Sequence, residues 1–135
     1  MSFKLGIVGS RNFSNYKLVC DTIGSTPVSH IVSGGAKGAD SMGVRYAQAH
    51  CIPYSVYPAN WSKHGKKAGY MRNRQIVENC DIVIAFWDGK SKGTKLTIDI
   101  CKELHVPCKI INFSLFNDPV NWDLEQEMID ELKGD

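Results

Sequence analysis

The chain has 135 residues, enough for one domain that buries most of its apolar surface without disulfide or metal cross-links. Its 16 basic and 14 acidic side chains leave a formal net charge of only +2, so total charge alone gives no reason to expect a polyanion-binding protein. The longest apolar run, Ile82 to Trp87, is far too short to span a bilayer and argues against membrane insertion.

The placement of the charged residues and of the cysteines further narrows the class of protein. Basic residues crowd the middle of the chain, whereas the tail from Asp118 onward is mostly acidic. The five cysteines form no C-x-x-C pair and the four histidines show no ligand spacing, so we expect neither a metal nor a cofactor. Residues after Met1 run straight into a predicted strand without a signal-peptide pattern, which favours a cytoplasmic protein with reduced cysteines.

Predicted strands and helices alternate along the chain. A helix carrying Tyr16, Leu18 and Ile23 is expected to begin at an N-cap on Ser14 and to end at Gly24. Apolar, β-branched runs predict strands at residues 3–8, 28–32, 51–57, 81–87 and 106–113. Further helices are predicted at about 40–50, 70–79 and from about 94 to 104, with an ordered loop at 59–69.

This alternation predicts the fold. Strands joined by helical crossovers give a parallel sheet with helices on both faces. We therefore expect an α/β, Rossmann-like three-layer sandwich with about five strands, forming one domain over residues 1–135. The acidic segment 114–135 is predicted to be an amphipathic C-terminal helix appended to that domain.

The most informative stretch is Ser33-Gly34-Gly35-Ala36-Lys37-Gly38-Ala39-Asp40, between a predicted strand and a predicted helix. Glycines at such a turn let backbone N–H groups approach a ligand closely, and the helix start adds unpaired N–H groups and a positive dipole end. The stretch thus favours an anion site, most often for phosphate, over a plain connecting turn. It matches neither G-x-x-x-x-G-K-[ST] nor G-x-G-x-x-G, so ATP-type or dinucleotide loops have no direct support.

Three other loops also follow carboxyl ends of predicted strands, where ligands of such sheets bind. Gly9-Ser10-Arg11 offers backbone donors and a guanidinium that can grip a phosphate, although an arginine on a surface turn is an equal alternative. Residues 58–61 bring Trp61 to the same edge. Gly93-Thr94, at a helix start, forms a second phosphate cradle by the argument used for the first.

Several side chains near these loops have two interpretations. Asp40 can cap the following helix or accept from ribose hydroxyls. Trp61 and Trp87 are candidate platforms for a base, with core packing the alternative for Trp87. Arg72 and Arg74 diverge by about 200° on a helix, so only one can face the cleft squarely.

No covalent catalytic set is evident, and an acid–base pair could come from Asp40, Asp88 or His64. The catalytic candidates are Asp40, Arg72, Arg74 and Asp88. The expected ligand-binding residues are Gly9, Ser10, Arg11, Ser33, Gly34, Gly35, Ala36, Lys37, Gly38, Asp40, Trp61, Arg72, Arg74, Trp87, Asp88, Gly93 and Thr94.

Four motifs carry a family resemblance over nearly the whole chain. They are Gly6-Ile7-Val8-Gly9-Ser10-Arg11, Val32 to Asp40, Ala68-Gly69-Tyr70-Met71-Arg72-Asn73-Arg74, and Ala85 to Thr94. On these motifs the chain resembles the SLOG superfamily, which joins the DNA-processing protein A (Smf) proteins to the LONELY GUY phosphoribohydrolases, with the compact YspA/YpsA-like branch the best match.

The resemblance implies a Rossmann-like fold whose glycine loops bind nucleotides or their derivatives, often in a homo-oligomer. Related phosphoribohydrolases cleave nucleoside monophosphates with an Arg and a Glu in P-G-G-x-G-T-x-x-E; here Thr97 stands at the glutamate position, and Arg72 or Arg74 could be the arginine. The DNA-processing branch shares S-G-x-A-x-G-x-D and R-N-R-x-I and binds single-stranded DNA. Other relatives sense ADP-ribose-derived signals.

We accordingly expect a protein that binds a phosphate-bearing nucleotide derivative, ADP-ribose-like first, as a sensor or sequestering protein rather than an enzyme. The alternative is an N-glycosidic phosphoribohydrolase acting on nucleoside monophosphates, in which a carboxylate such as Asp88 replaces the missing glutamate. Single-stranded nucleic-acid binding is a third possibility. The expected partners are a small-molecule nucleotide derivative and further copies of the chain, and no membrane.

Overall fold

Strand β1 is the central strand of a five-stranded parallel sheet in the computed structural model, which describes residues 2–115. The strands are β1 Phe3–Gly9, β2 Val28–Ser33, β3 Tyr54–Val56, β4 Ile82–Trp87 and β5 Cys108–Asn112. The helices are α1 Tyr16–Ile23, α2 Ala39–Ala49, α3 Trp61–His64, α4 Ala68–Glu78 and α5 Lys92–Glu103. Short 3₁₀ turns occupy Gly65–Lys67 and Phe113–Leu115.

The strand order, β3-β2-β1-β4-β5, creates a switch point beside the central strand. The chain builds outward from β1 through β2 to β3, then returns to place β4 on the other side of β1. The loops that leave β1 and β4 therefore diverge to opposite faces of the sheet. A crevice opens between such loops, and in open α/β sheets this is where ligands bind.

Both faces of the central strands are buried, which explains their nearly continuous apolar sequences. Along β1, Leu5 and Ile7 pack in the core that contains residues of α1 and α2, while Val8 packs in the core that contains residues of α4 and α5. In β4, Phe86 belongs to the first core and stacks on Phe13 with ring centroids 4.6 Å apart. The predicted α/β three-layer sandwich is confirmed.

Two strands are shorter than predicted because a helix-ending turn and a proline precede each of them. Cys51 and His105 adopt positive φ after α2 and α5, and the next N–H groups bond back to carbonyls within those helices. This is a common helix ending. A proline then follows in each case, so β3 begins only at Tyr54 and β5 only at Cys108.

Two local predictions were wrong. The N-cap of α1 is Asn15 rather than Ser14, and the Asn15 side chain accepts from the Leu18 N–H at 3.0 Å. The predicted loop at 59–69 contains α3 and a 3₁₀ turn, because the Asn60 side chain caps a helical turn by accepting from the Lys63 N–H. Helix α4 consequently starts at Ala68.

The expected C-terminal helix cannot be compared with the structure over most of its length. Ser114 lies in the second 3₁₀ turn, and residues 116–135 lie outside the described part. Within residues 2–115, every helix lacks the length and apolar character needed to cross a bilayer.

Candidate functional site

A cavity of about 560 Å³ opens at the carboxyl ends of β1 and β4. The β1 exit contributes Gly9, Ser10 and Arg11, and the β4 exit contributes Asp88. The remaining walls come from the glycine-rich loop before α2, from α3 and α4, and from the start of α5. The switch point of the sheet thus carries the cavity, as the fold predicts.

The N-terminus of α5 faces this cavity. Gly93 and Thr94 in its first turn both line the cavity wall, and the Ser91 side chain makes no capping bond to that turn. A methyl group added at Gly93 would meet no atom within 4 Å among the described residues. First-turn N–H groups of a helix have no partners within the helix, so this end is a ready anion site.

The loop before α5 is fixed by Asp88. Its Oδ1 accepts from the N–H groups of Lys90 and Ser91 at 2.9 and 2.7 Å. Burial pulls the pKa of Asp88 upward, but these amides together with the Ser10 hydroxyl outweigh burial and lower the pKa below its ordinary value. Asp88 is therefore ionised at neutral pH and orients the loop that leads into α5.

The first glycine-rich loop is arranged differently, because it holds an anion supplied by the chain. The Asp40 carboxylate accepts from the Gly34 N–H at 3.1 Å and from the Ala36 and Gly9 amides. Asp40 is only 5% exposed. Burial is the main cause that raises its pKa to about 6, against the opposing effects of Arg72 and the three amides.

The start of α2 is also closed by the protein. The Ala39 N–H donates to the Ser10 carbonyl at 3.3 Å, and a Cβ on Gly38 would lie 2.2 Å from that oxygen. The φ of +83° at Gly38 independently requires glycine. The two helix starts therefore differ: that of α2 contacts the β1 exit, whereas that of α5 opens on the cavity.

Arg72 and Asn73 connect the two glycine-containing loops. The Arg72 guanidinium donates through Nη1 to the Gly34 carbonyl at 3.2 Å and through Nε to Asn73 Oδ1 at 2.8 Å. Asn73 Nδ2 in turn donates to the Gly93 carbonyl at 3.4 Å. A polar chain thus runs across the cavity from one loop to the other.

Arg74 lies on a different side of α4. Its guanidinium pairs with Glu78 at 3.2 Å and with Glu103 of α5 at 3.3 Å, and it also donates to the Tyr70 hydroxyl. Arg72 lines the cavity and Arg74 does not. Arg74 joins α4 to α5 on their outer surface.

The two tryptophans also separate. Trp61 lines the cavity and is 55% exposed, and its ring edge would come within 3.2 Å of a Cβ on Gly69. Trp87 packs against the α4–α5 core instead, and its indole N–H donates to the Ser91 carbonyl at 2.9 Å. An exposed indole can stack on a flat ring, and Trp61 is exposed in the cavity wall.

Ten of the seventeen expected ligand-binding residues lie together in the cavity wall. These ten are Gly9, Ser10, Arg11, Ala36, Asp40, Trp61, Arg72, Asp88, Gly93 and Thr94. The residues that do not line it are Ser33, Gly34, Gly35, Lys37, Gly38, Arg74 and Trp87. Of these, Ser33 and Gly34 are buried behind the cavity, with the Ser33 hydroxyl donating to the Asp40 carbonyl at 2.9 Å.

Nine further wall residues were not predicted as site residues. They are Val8, Asn12, Lys66, Gly69, Tyr70, Asn73, Ser91, Leu96 and Thr97. Asn73 and Ser91 stand inside motifs quoted above, but their contribution depends on which neighbours they contact. The sequence signal that could have found Lys66 is Asn60. It caps the helical turn that brings the basic segment to the cavity.

Comparison with known proteins gives two matches. The model of the YspA, cpYpsA-related SLOG family (YAcAr) matches residues 4–64, from β1 through α3. The Gene 61 protein of Mycobacterium phage D29 is 32% identical over 118 residues, a match covering 79% of this chain and 93% of the phage protein. The chain belongs to the YspA, cpYpsA-related SLOG family. No solved structure matches it.

The part of this SLOG protein that the family model matches contains three of the cavity walls. It includes the β1 exit, the glycine-rich loop with Asp40, and Trp61. The wall made by α4 and α5, with Arg72 and Gly93, lies beyond residue 64.

Proposed function

We propose that this SLOG-family protein binds a phosphate-bearing nucleotide derivative in the cavity between β1 and β4, with ADP-ribose-like molecules as the first candidates. The observation that supports this most directly is the helix start at Gly93 and Thr94, which faces a cavity also lined by Arg11 and Arg72. Backbone amides with nearby guanidinium groups are a recurrent phosphate site.

The phosphate belongs at α5 rather than at the first glycine-rich loop in this proposal. The Gly34 N–H is bonded to Asp40, and the Ala39 N–H is bonded to the Ser10 carbonyl. A ligand phosphate at Gly34 would have to displace a buried carboxylate, which is a costly exchange of one anion for another. At Gly93 a bound phosphate would instead accept hydrogen bonds from first-turn amides that face the cavity.

The remaining wall suits the rest of a nucleotide. Carboxylates accept hydrogen bonds from hydroxyl groups, so Asp40 or Asp88 is placed to receive a ribose diol. Trp61 offers a stacking surface for the base, with Tyr70 next to Gly69 in the same wall. A volume of about 560 Å³ is in the usual range for pockets that hold a molecule of nucleotide size.

A calorimetric panel tests the proposal. ADP-ribose, AMP and ribose 5-phosphate are expected to bind, and adenosine, which lacks phosphate, to bind much more weakly. In thermal unfolding, a ligand at 100 times its Kd adds about 2.7 kcal/mol to the free energy of unfolding. The proposal fails if adenosine binds as well as AMP. It also fails if only single-stranded oligonucleotides bind, with a steep loss of affinity in salt.

A second candidate function is hydrolysis of the N-glycosidic bond of nucleoside monophosphates. The observation that favours it is the pair of carboxyl groups in one cavity with displaced pKa values, Asp40 raised to about 6 and Asp88 lowered. Such a pair can divide the roles of proton donor and ionised carboxylate. Thr97, which stands at the catalytic glutamate position of related hydrolases, is buried with its hydroxyl on the Gly93 carbonyl and has no carboxylate.

Release of free adenine from AMP separates this candidate from simple binding. Hydrolysis predicts multiple turnovers that Asp40→Asn abolishes, since an amide cannot donate the proton that the protonated carboxyl supplies. Binding without adenine release excludes hydrolysis of AMP and leaves the first proposal intact.

A further inference from the structure

Asn73 occupies a position in which both ends of its side-chain amide are specified. It follows Arg72 on α4 and is only 8% exposed. Its Oδ1 accepts from Arg72 Nε, which can only donate, and its Nδ2 donates to the Gly93 carbonyl, which can only accept. The contacts therefore allow only one orientation of the amide.

The Asn73 amide connects Arg72 with Gly93, and both of these residues take part in the proposed phosphate site. Gly93 belongs to the first turn of α5, and Arg72 supplies a guanidinium to the same cavity. Arg72 is held at a second point by the Gly34 carbonyl. A long arginine side chain loses considerable rotamer freedom when it is fixed, and that loss is unfavourable for binding only if it occurs when the ligand arrives.

We propose that Asn73 is a positioning residue that holds the Arg72 guanidinium in a fixed relation to the first turn of α5, so that both act on one phosphate group. This inference rests on the proposed phosphate site and assigns the residue that preorganises it. Asn73 acts through Arg72, and contact with the ligand is not required.

A double-mutant cycle measured with ADP-ribose by calorimetry tests this role. Asn73→Ala is expected to weaken ADP-ribose binding about tenfold in the presence of Arg72, as for coupled neighbours in one hydrogen-bond network. In an Arg72→Ala background the same substitution should change the affinity less than about twofold, because the group it positions is gone. A merely structural role of Asn73 would weaken binding in both backgrounds.

Asn79→Ala is the matched control on the same helix. Asn79 caps α4 and its amide donates to the Gln75 carbonyl on the exposed surface, away from the cavity. This variant should bind ADP-ribose like the wild type. Equal losses from Asn73→Ala in both Arg72 backgrounds overturn the positioning role while leaving the phosphate site standing, whereas failure of the wild-type protein to bind any phosphate ligand overturns both.

A measurement on the wild-type protein covers the case in which Asn73→Ala does not fold. The Arg72 Nε–H signal, assigned by its loss in Arg72→Lys, is expected to exchange with solvent at least about tenfold more slowly than that of exposed Arg11, because an amide oxygen holds the proton. Exchange as fast as that of Arg11 overturns the proposal.

Discussion

The Oδ2 atom of Asp40 lies 3.1 Å from the backbone nitrogen of Gly34 and accepts its hydrogen bond. The two residues stand at opposite ends of one glycine-rich loop, so the loop closes on a carboxylate from its own sequence. The amides and Arg72 favour the ionised form of Asp40, but burial disfavours it more strongly, which is why its pKa rises to about 6.

Asp40 is expected to make stability fall as the pH rises from about 4 to about 7. Its pKa is about 6 in the folded protein against an ordinary value of 3.8, so the folded state binds the proton more tightly than the unfolded chain. Its contribution to the free energy of unfolding is therefore fully present below about pH 4 and lost above pH 6. The shift corresponds to about 3 kcal/mol.

Urea unfolding of the wild type and of Asp40→Asn across this pH range measures that contribution. The difference in the free energy of unfolding, wild type minus variant, should shrink by up to about 3 kcal/mol as the pH rises, because the asparagine does not titrate. A difference that stays constant or grows with pH contradicts the raised pKa.

Gly93→Ala and Gly38→Ala should have opposite effects on the stability of the protein. A methyl group at Gly93 meets no described atom, and alanine favours a helix by about 0.5–1 kcal/mol over glycine, so this variant should be at least as stable as the wild type while losing affinity for ADP-ribose. At Gly38 the methyl would clash with the Ser10 carbonyl at positive φ, so the variant should be strongly destabilised. Denaturant melts and calorimetry measure both effects. If the Gly93→Ala variant keeps full affinity for ADP-ribose, the phosphate does not bind at the start of α5.

Trp61→Ala should discriminate between ligands with and without a base. Loss of a stacking surface costs about 1–3 kcal/mol per base, so ADP-ribose and AMP should bind about 5- to 150-fold more weakly while ribose 5-phosphate is unaffected. Tyr54→Ala removes an aromatic ring that is similarly exposed but does not line the cavity, and it should bind all three ligands normally. Equal losses for ribose 5-phosphate and AMP would show that Trp61 does not contact the base.

Arg72→Ala should weaken nucleotide binding, whereas Arg74→Ala should affect only ion pairs on the surface. Hydrogen bonds to charged groups contribute about 1.5–3 kcal/mol, so loss of Arg72 should weaken AMP binding by at least about tenfold. Loss of Arg74 removes exposed ion pairs with Glu78 and Glu103, which contribute little to stability because water and salt screen them, and should leave AMP affinity unchanged. AMP titration of both variants measures this, and a larger loss from Arg74→Ala would contradict the placement.

The sheet and its helices could be predicted because their signals are local. Buried central strands such as β1 and β4 are apolar along most of their length, and Leu96, Ile100 and Leu104 show helical spacing. Helix α3 was missed because its four residues contain no buried side chain and so no apolar period. Its only strong local signal is Asn60, whose capping role depends on the backbone conformation of the next three residues.

The residues that line the cavity could be predicted where a loop must follow a strand, but not where a contact between side chains decides their position. The carboxyl ends of parallel strands bring Arg11, Asp88 and Thr94 together in any fold of this type. Sequence alone could not show that Asp40 bonds to Gly34, since that requires a folded loop. It also could not choose between Trp61 and Trp87 or between Arg72 and Arg74, because each choice depends on which surface packs.

The Asp40 carboxylate inside the glycine-rich loop has a consequence for the protein when no small molecule is bound. A loop built to surround a phosphate leaves amide hydrogens without acceptors whenever the phosphate is absent. Here the Gly34 amide has its acceptor within the chain, so the conformation of this loop does not depend on a bound anion. Such a loop suits the sensor or sequestering protein proposed above, because it takes its shape before the small molecule arrives.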